Sequence, residues 1–208
     1  MSRPLYLLAK RAFDLVAAAT CIVLVSPLLL LIAVLVKLDS PGPVVYLGKR
    51  VGKDGQPFNI YKFRSMVANA EQLGTTATAH LDPRITRIGQ FIRHYKLDEL
   101  PQLFNVLTGD MSFVGPRPEV EEHTSCYSEE ERSILSVKPG ITDLSSIRFV
   151  NLGYLLGTEN ANQVFIEKYR AEKNRLRLEY VRTQSISSDF RILAHTVWLI
   201  LTRPLRKG

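Results

Sequence analysis

The chain has 208 residues, 46% of them hydrophobic and 23% charged, with no repeat or low-complexity tract. That is enough apolar material for one sizeable core with appendages, and it excludes a disordered or fibrous protein. With 27 Lys+Arg against 20 Asp+Glu, the +7 net charge favours anionic partners (phosphorylated ligands, nucleic acid or an anionic membrane face) without choosing among them. The two cysteines, Cys21 in an apolar run and Cys126 in a polar one, have neither paired nor metal-like spacing, which favours a reducing compartment over a disulfide scaffold.

In chain order, the first feature is an uncharged run from Leu15 to Val36. As a helix it covers roughly 33 Å, enough for a hydrocarbon core of about 30 Å. It is too long for a signal-peptide core, and no small-residue cleavage site follows it. Ser26-Pro27 sits in its middle. Pro27 has no N–H for the Val23 carbonyl, so a bend is expected there, with Ser26 able to bond the freed oxygen. The flanks are equally basic, with Arg3, Lys10 and Arg11 before the run and Lys37, Lys49 and Arg50 after it. Equal flanks suit a helix that enters, breaks and returns; a kinked ordinary span is the alternative.

After Pro41-Gly42-Pro43 the pattern predicts a β-hairpin: strand Val44–Leu47, a turn at Asp54-Gly55, and strand Phe58–Phe63. Thr86 caps a predicted helix carrying Ile88, Phe91, Ile92 and Tyr95 on one face. Leu100, Leu103, Phe104 and Leu107 repeat the spacing, with Gly109 as a stop. Ser128 and Glu131 read as a capping box, and Pro139-Gly140 as a turn. A charged helix is expected from about Asn162 to Arg182. Its Glu167, Arg170, Glu172, Lys173, Arg175, Arg177 and Glu179 read as a solvated or headgroup-facing surface. A final helix, about Asp189 to Leu201, places Phe190, Leu193, Ala194, Val197, Trp198 and Leu201 on one side. With Arg203, Arg206 and Lys207 behind it, it suits the membrane interface or, equally, a core-packed position.

The chemistry concentrates in Lys96-Leu-Asp98-Glu99-Leu-Pro101-Gln102. Pro101 fits a first helical turn, which puts both carboxylates at an N-terminus, where unpaired N–H groups favour negative charge. Taken alone, Asp98 there is most simply a helix cap. Around it the chain supplies Lys62 and Arg64 at the end of the second strand, Arg84 in Asp82-Pro-Arg, Arg93 on the polar side of the preceding helix, and Arg117 in Val114-Gly-Pro-Arg-Pro118. Guanidinium forks on rigid turns suit a diphosphate, although each arginine singly reads as a surface charge. The spacing from Gly42 to Gly48-Lys49 and the following Arg50 exclude a Walker loop, and there is no dinucleotide fingerprint or nucleophile elbow. His80, His94, His123 and His195 are scattered, and His123 near Cys126 lacks partners for zinc. Aromatics are not interleaved with bases, which argues against nucleic acid.

Taken in order, Lys10-Arg-Ala-Phe-Asp14, the membrane run, Lys62-Phe-Arg-Ser-Met66, Asp98-Glu-Leu-Pro-Gln102, Val114-Gly-Pro-Arg-Pro118, Tyr180-Val181 and Ser187–Asp189 resemble the bacterial sugar transferases. The closer likeness is to their small monotopic polyprenyl-phosphate phosphoglycosyl transferases, and it covers nearly the whole chain. It implies an α+β fold in two parts. Residues 1–40 would form a re-entrant membrane helix broken at Ser26-Pro27. Residues 41–208 would form a mostly helical cytosolic catalytic domain with a small hairpin and interfacial amphipathic helices. Lacking the extra membrane helices and middle domain of larger relatives, the chain looks like the minimal catalytic form.

The resemblance further implies a bacterial enzyme on the cytosolic face of the inner membrane. Its Asp98 would attack the β-phosphorus of a nucleotide diphosphate-sugar donor and pass the sugar phosphate to a polyprenyl phosphate. Mg2+ is the implied cofactor, with Asp98 and Glu99 as catalytic residues and metal ligands. Lys62, Arg64, Arg84, Arg93 and Arg117 would bind the donor, while Lys10 and Arg11, with Ser26 and Pro27 at the break, would serve the lipid phosphate and membrane. Membrane lipid is an implied partner, and a homodimer is compatible with the pattern. One departure stands out: many relatives continue from Pro139-Gly-Ile-Thr142 with a Gly-Trp-Ala-Gln-Val-Asn-Gly-type run, where this chain has Asp143-Leu-Ser-Ser-Ile-Arg148. Arg148 is expected as a replacement contact, and the donor preference does not carry over. The rival reading is a membrane-anchored scaffold in which Asp98 only caps a helix. The catalytic reading expects the Asp98 side chain to face a cavity beside the bilayer; a side chain buried there, or facing away from such a cavity, is a ground for abandoning it.

Overall fold

The computed structural model describes residues 2–70, 82–156 and 160–202. His80 and the terminal Arg203, Arg206 and Lys207 lie outside the described residues. The chain opens with helix α1 (Arg3–Asp39), which continues through Pro27. The expected break is therefore not a loss of helical backbone. Pro27 leaves the Val23 carbonyl without its helical donor, and the Ser26 hydroxyl donates to that oxygen at 2.8 Å, as the Ser-Pro pair foretold.

Both ends of α1 pack on the rest of the chain, while its middle does not. Ala18 joins Ile60, Val106 and Met111 in one apolar cluster; Ile32 and Val36 join Phe63 and Ile92 in another. Between them Val23 and Leu24 are more than 70% exposed. Only 11% of the helix's most apolar stretch is buried, whereas the central helix of a soluble core would be mostly covered. Polar anchors reinforce each end. Asp14 accepts the Phe113 N–H at 3.1 Å, and Asp39 accepts that of Ile88 at 3.1 Å.

The predicted hairpin forms, as β1 (Val45–Val51) antiparallel to β2 (Pro57–Phe63), with Val45 opposite Phe63. Positive φ at Asp54 and Gly55 makes the turn. The first strand runs beyond the expected Leu47 because the cross-strand ladder extends through Lys49 and Arg50, residues that look like loop in sequence. Helix α2 (Arg87–His94) starts where Thr86 Oγ1 accepts the Gly89 N–H at 3.0 Å. Lys96 turns left-handed (φ 59°), a 3-10 turn covers Leu97–Glu99, and α3 (Gln102–Thr108) ends at Gly109 (φ 98°).

Beyond α3 come β3 (Ser112–Val114), α4 (Glu121–Thr124) and α5 (Glu129–Arg132), the last with the complete Ser128/Glu131 capping box. Pro139-Gly140 is not the expected free turn. Gly140 begins β4 (Gly140–Thr142), which pairs in parallel with β3. Here glycine is a packing requirement, since a Cβ on Gly140 would sit 2.1 Å from the Gly115 nitrogen.

Helices α6 (Leu144–Arg148) and α7 (Leu152–Leu155) follow. The predicted charged helix is α8 (Ala161–Val164) and α9 (Arg170–Thr183), joined by a π-turn. Glu167, Arg175 and Glu179 lie on an exposed side as expected, but Lys173 and Arg177 are buried, because Glu119 and Asp143 face them. Helix α10 (Ile186–Thr202) buries Asp189 and Ile192 and leaves Phe190, Val197, Trp198 and Leu201 at least half exposed. Its core-packed and apolar exposed faces thus coexist. The molecule is mostly helical with two small sheets and a long apolar N-terminal helix, compatible with the expected α+β class.

Arg64 belongs to this framework. Its guanidinium donates to the carbonyls of Pro43 (2.5 Å), Ser40 (2.5 Å) and Val36 (3.1 Å) and to Ser40 Oγ (3.0 Å), gathering the C-terminal carbonyls of α1. Arg64→Ala is expected to destabilise the fold by about 3 kcal/mol, because several buried acceptors lose their donor together. Thermal unfolding in detergent measures this, and an unchanged transition would contradict the clamp.

Candidate active site

The site is organised by α3 and its lead-in turn. Asn105, fully buried, accepts the Tyr61 N–H (2.9 Å) and donates to the Asn59 carbonyl (2.8 Å), which fastens α3 along β2. Lys62 lies on the same face of β2 as Ile60, which packs against Val106 of α3. Its ammonium therefore reaches Glu99 Oε1, at 3.1 Å. From the other side Arg117 donates to the same carboxylate, while its second terminal nitrogen donates to the Ile141 carbonyl at 3.2 Å. Glu99 thus carries two cationic partners.

Asp98 carries none by hydrogen bond among the described residues. It is 6% exposed, and its Oδ1 is buried with no partner. Burial, then the adjacent Glu99, pushes its carboxyl above the ordinary value, against the pull of Lys62, Lys96 and Arg93. Burial would raise Glu99 too, but Arg117, Lys62 and Lys96 outweigh it and hold that group well below the usual range. Lys62 is lowered by burial, opposed by Glu99. The result is one carboxylate neutralised within the fold and one held close to cations but unsatisfied, which are two different chemical environments one residue apart.

The expectation of an openly presented Asp98 is not met. A cavity of about 220 Å³ does lie beside α1, but it is bounded by Lys10, Phe13, Asp14, Phe113, Asp189 and Phe190, between α1 and α10. Of the arginines and lysines expected at the site, Lys62 and Arg117 meet on Glu99, while Arg93 points its guanidinium at Ser65 Oγ (3.4 Å) and acts on Asp98 only through its charge. The others are drawn elsewhere. Arg64 clamps α1. Arg84 forks onto Asp82 at 2.9 and 2.6 Å and donates to the Ala70 carbonyl. Arg148 is exposed at the end of α6, near Glu172.

Lys10 and Arg11, expected at the lipid phosphate, also have partners within the chain. Lys10 pairs with Asp189 at 2.7 Å, and Arg11 donates to the Val106 and Leu107 carbonyls at 2.6 and 3.0 Å. That is the far end of α3, roughly 12 Å of helix from Asp98. In this arrangement both residues anchor α1 rather than face the carboxylates.

Behind Arg117 lies a polar layer that sequence reading missed. Glu119, two residues on, pairs with the buried Arg177 and lies 3.8 Å from Lys173 and 3.3 Å from His123 Nδ1. Burial alone would raise Glu119, but Arg177, the His123 ring and Lys173 hold its carboxyl well below the usual range. A carboxyl depressed in the native state stabilises it fully above the unfolded value of about 4.5, and that stabilisation is lost as pH falls through the native value. The melting temperature is expected to fall on acidification below about pH 4.5, and Glu119→Gln to flatten that limb. An identical acid limb in the variant would remove Glu119 as its cause.

The fold and site define a chain with one long exposed apolar helix and, against the domain that holds both its ends, a carboxylate pair ringed by cations. This chain belongs to the bacterial sugar transferase family, whose model matches residues 5–203. It is 40% identical over 206 residues to a UDP-N-acetylgalactosamine-undecaprenyl-phosphate N-acetylgalactosaminephosphotransferase of Aeromonas hydrophila, covering 96% of this chain and 45% of that protein. It is 43% identical over 199 residues to a UDP-glucose:undecaprenyl-phosphate glucose-1-phosphate transferase of Escherichia coli (92% and 40% covered). Against a protein of that name in Caulobacter vibrioides it is 39% identical over 198 residues (94% and 70% covered). The chain therefore spans less than half the length of the first two relatives.

Proposed function

We propose that this chain transfers a sugar phosphate from a uridine diphosphate-sugar to undecaprenyl phosphate, giving the undecaprenyl diphosphate-sugar that starts glycan assembly. A carboxylate oxygen of Asp98 attacks the β-phosphorus, and the bond from that phosphorus to the bridging oxygen breaks. Nucleoside monophosphate leaves with the electron pair, and an aspartyl phospho-sugar is left. A phosphate oxygen of the lipid then attacks the same phosphorus and releases Asp98. The carboxylate nucleophile divides one difficult transfer between two anions into two steps.

The observation that carries this reading is the Asp98–Glu99 pair itself. One oxygen is buried and unpaired amid Lys62, Lys96 and Arg93, next to a Glu99 already neutralised by Arg117 and Lys62. Lys62, Arg93 and Arg117 would counter the diphosphate charge, and those cations stabilise a phosphoryl transition state. The residues present fit Mg2+, which takes one or two carboxylates together with substrate phosphates; Asp98 and Glu99 would hold it. Bound there, it supplies charge neutralisation at the phosphates.

The burial of Asp98 favours the alternative, a non-catalytic membrane-anchored protein, although the side chain makes no capping bond to the turns beside it. The catalytic reading requires donor binding to open the turn around Asp98. Turnover separates the two. The purified protein is incubated with a panel of UDP-sugars, Mg2+ and undecaprenyl phosphate, and UMP release is measured. Release that stops on chelation supports the transferase; no release across the panel supports the scaffold.

We further propose that α1 is re-entrant and that both termini and the domain of residues 41–208 lie on the cytosolic face of the inner membrane. Support comes from the equal basic flanks, the two ends of α1 packed on one domain, and the exposed stretch between them. The exposed apolar side of α10 then lies in the interface. Cysteine tags at both ends are expected to react with an impermeant reagent only after the cytosolic side is opened. Labelling of the N-terminal tag from outside would establish a span instead.

A further inference from the structure

We propose that Asp143 and Arg177 are positioning residues for this transfer, locking the loop of Arg117 so that its guanidinium stays on Glu99 beside Asp98; this rests on the function proposed above. Asp143 is fully buried. Its Oδ1 caps α6 by accepting the Ser146 N–H at 2.6 Å, and its Oδ2 accepts the backbone N–H of Arg117 at 3.2 Å. The Arg117 side chain returns to the same segment through the Ile141 carbonyl. Arg117 is thus clasped to the β4–α6 connection by both its backbone and its side chain, and what remains of its fork is directed at Glu99.

Arg177 holds the loop from behind. It is 1% exposed, its terminal nitrogens pair with Glu119 and with Asn174 Oδ1 (3.0 Å), and its Nε, which has no hydrogen-bond partner, lies 3.8 Å from Asp143 Oδ2. One guanidinium therefore grips the loop two residues past Arg117 and faces the carboxylate that holds Arg117 itself. Stability is a poor account of such a layer, because the desolvation of buried ion pairs tends to offset their attraction. Geometry is the better account. A charged network satisfied from several elements admits few arrangements, and catalytic groups tolerate misplacement badly.

Asp143→Asn tests this. The amide oxygen keeps the α6 cap, while the charge facing Arg177 and the acceptor for the Arg117 N–H are lost. The expected result is a fall in kcat for UMP release of about ten- to a hundred-fold, with the donor KM within about three-fold, at an unfolding temperature still well above that of the assay. In an Arg117→Ala background the same substitution is expected to cost less than about two-fold, because the side-chain contact it serves is already gone. Arg177→Lys, which keeps the charge on Glu119 and loses the fork, provides a second route with the same kcat signature should Asp143→Asn fold poorly. A full ten-fold loss repeated in the Arg117→Ala background, or an effect confined to KM, would overturn the proposal. So would a structure of Asp143→Asn with Arg117 still on Glu99. Absence of turnover in the unsubstituted protein would overturn the proposed function alone, and the position of Arg117 in the variant structure would then decide the positioning.

Discussion

Asp98→Asn is expected to abolish both the covalent adduct and the lipid product, with a loss of at least about a thousand-fold in turnover. The substitution keeps volume and shape, so the packing around a side chain that is 6% exposed is preserved. What changes is chemistry: a carboxamide oxygen is a poor nucleophile toward phosphorus. Lys62, Lys96 and Arg93 only partly offset the burial and the Glu99 charge that push the carboxyl upward. Intact-mass measurement after brief exposure to donor detects the phospho-sugar adduct in the parent chain and none in the variant. Retained turnover would point to direct attack by the lipid phosphate, and the covalent scheme would fall.

Arg117→Ala is expected to lower turnover by about a hundred- to a thousand-fold, the scale of removing one preorganised charge-stabilising donor. Arg117 and Lys62 together hold Glu99 ionised in a buried position. Without the guanidinium, two neighbouring carboxylates share fewer cations, and like charges so close resist joint ionisation. Arg117→Lys is expected to restore only part of the loss, because an ammonium cannot fork between Glu99 and the Ile141 carbonyl. An exposed pair such as Arg175–Glu172 provides the control, with Arg175→Ala expected to change turnover by less than about two-fold. Equal losses at positions 117 and 175 would mean that net charge, not site geometry, sets the rate.

The burial of Asp98 is the finding that weighs most against a freely presented nucleophile. Its unpaired Oδ1 amid three cations is what keeps the catalytic reading preferable to a helix cap. A capping aspartate is satisfied by accepting N–H bonds, as Asp143 is from Ser146, and Asp98 accepts none.

Features set by neighbours along the chain were legible from the residues. Thr86, Ser128 and Gly109 marked helix ends because capping is settled within a turn, and Ser26 was paired with Val23 because proline's effect is confined to four residues. The ordered motifs sufficed to name the family, whose model matches residues 5–203.

Which charges meet which was decided only by tertiary structure. Arg64, Arg84, Arg93, Arg117 and Arg148 are chemically alike in sequence, yet among the described contacts it is Arg117 that pairs with Glu99, while Arg93 reaches Ser65, Arg64 gathers the end of α1 and Arg148 faces outward. Arg177 looked like one charge on a solvated helix because its partner Glu119 lies 58 residues away. The three-residue parallel strands escaped notice for the same reason: pattern within so short a segment is uninformative, and pairing across the chain supplies the hydrogen bonds. Local periodicity encodes which face of an element is apolar. The partner of a buried charge depends on how distant elements pack, because only burial makes that charge's pairing obligatory.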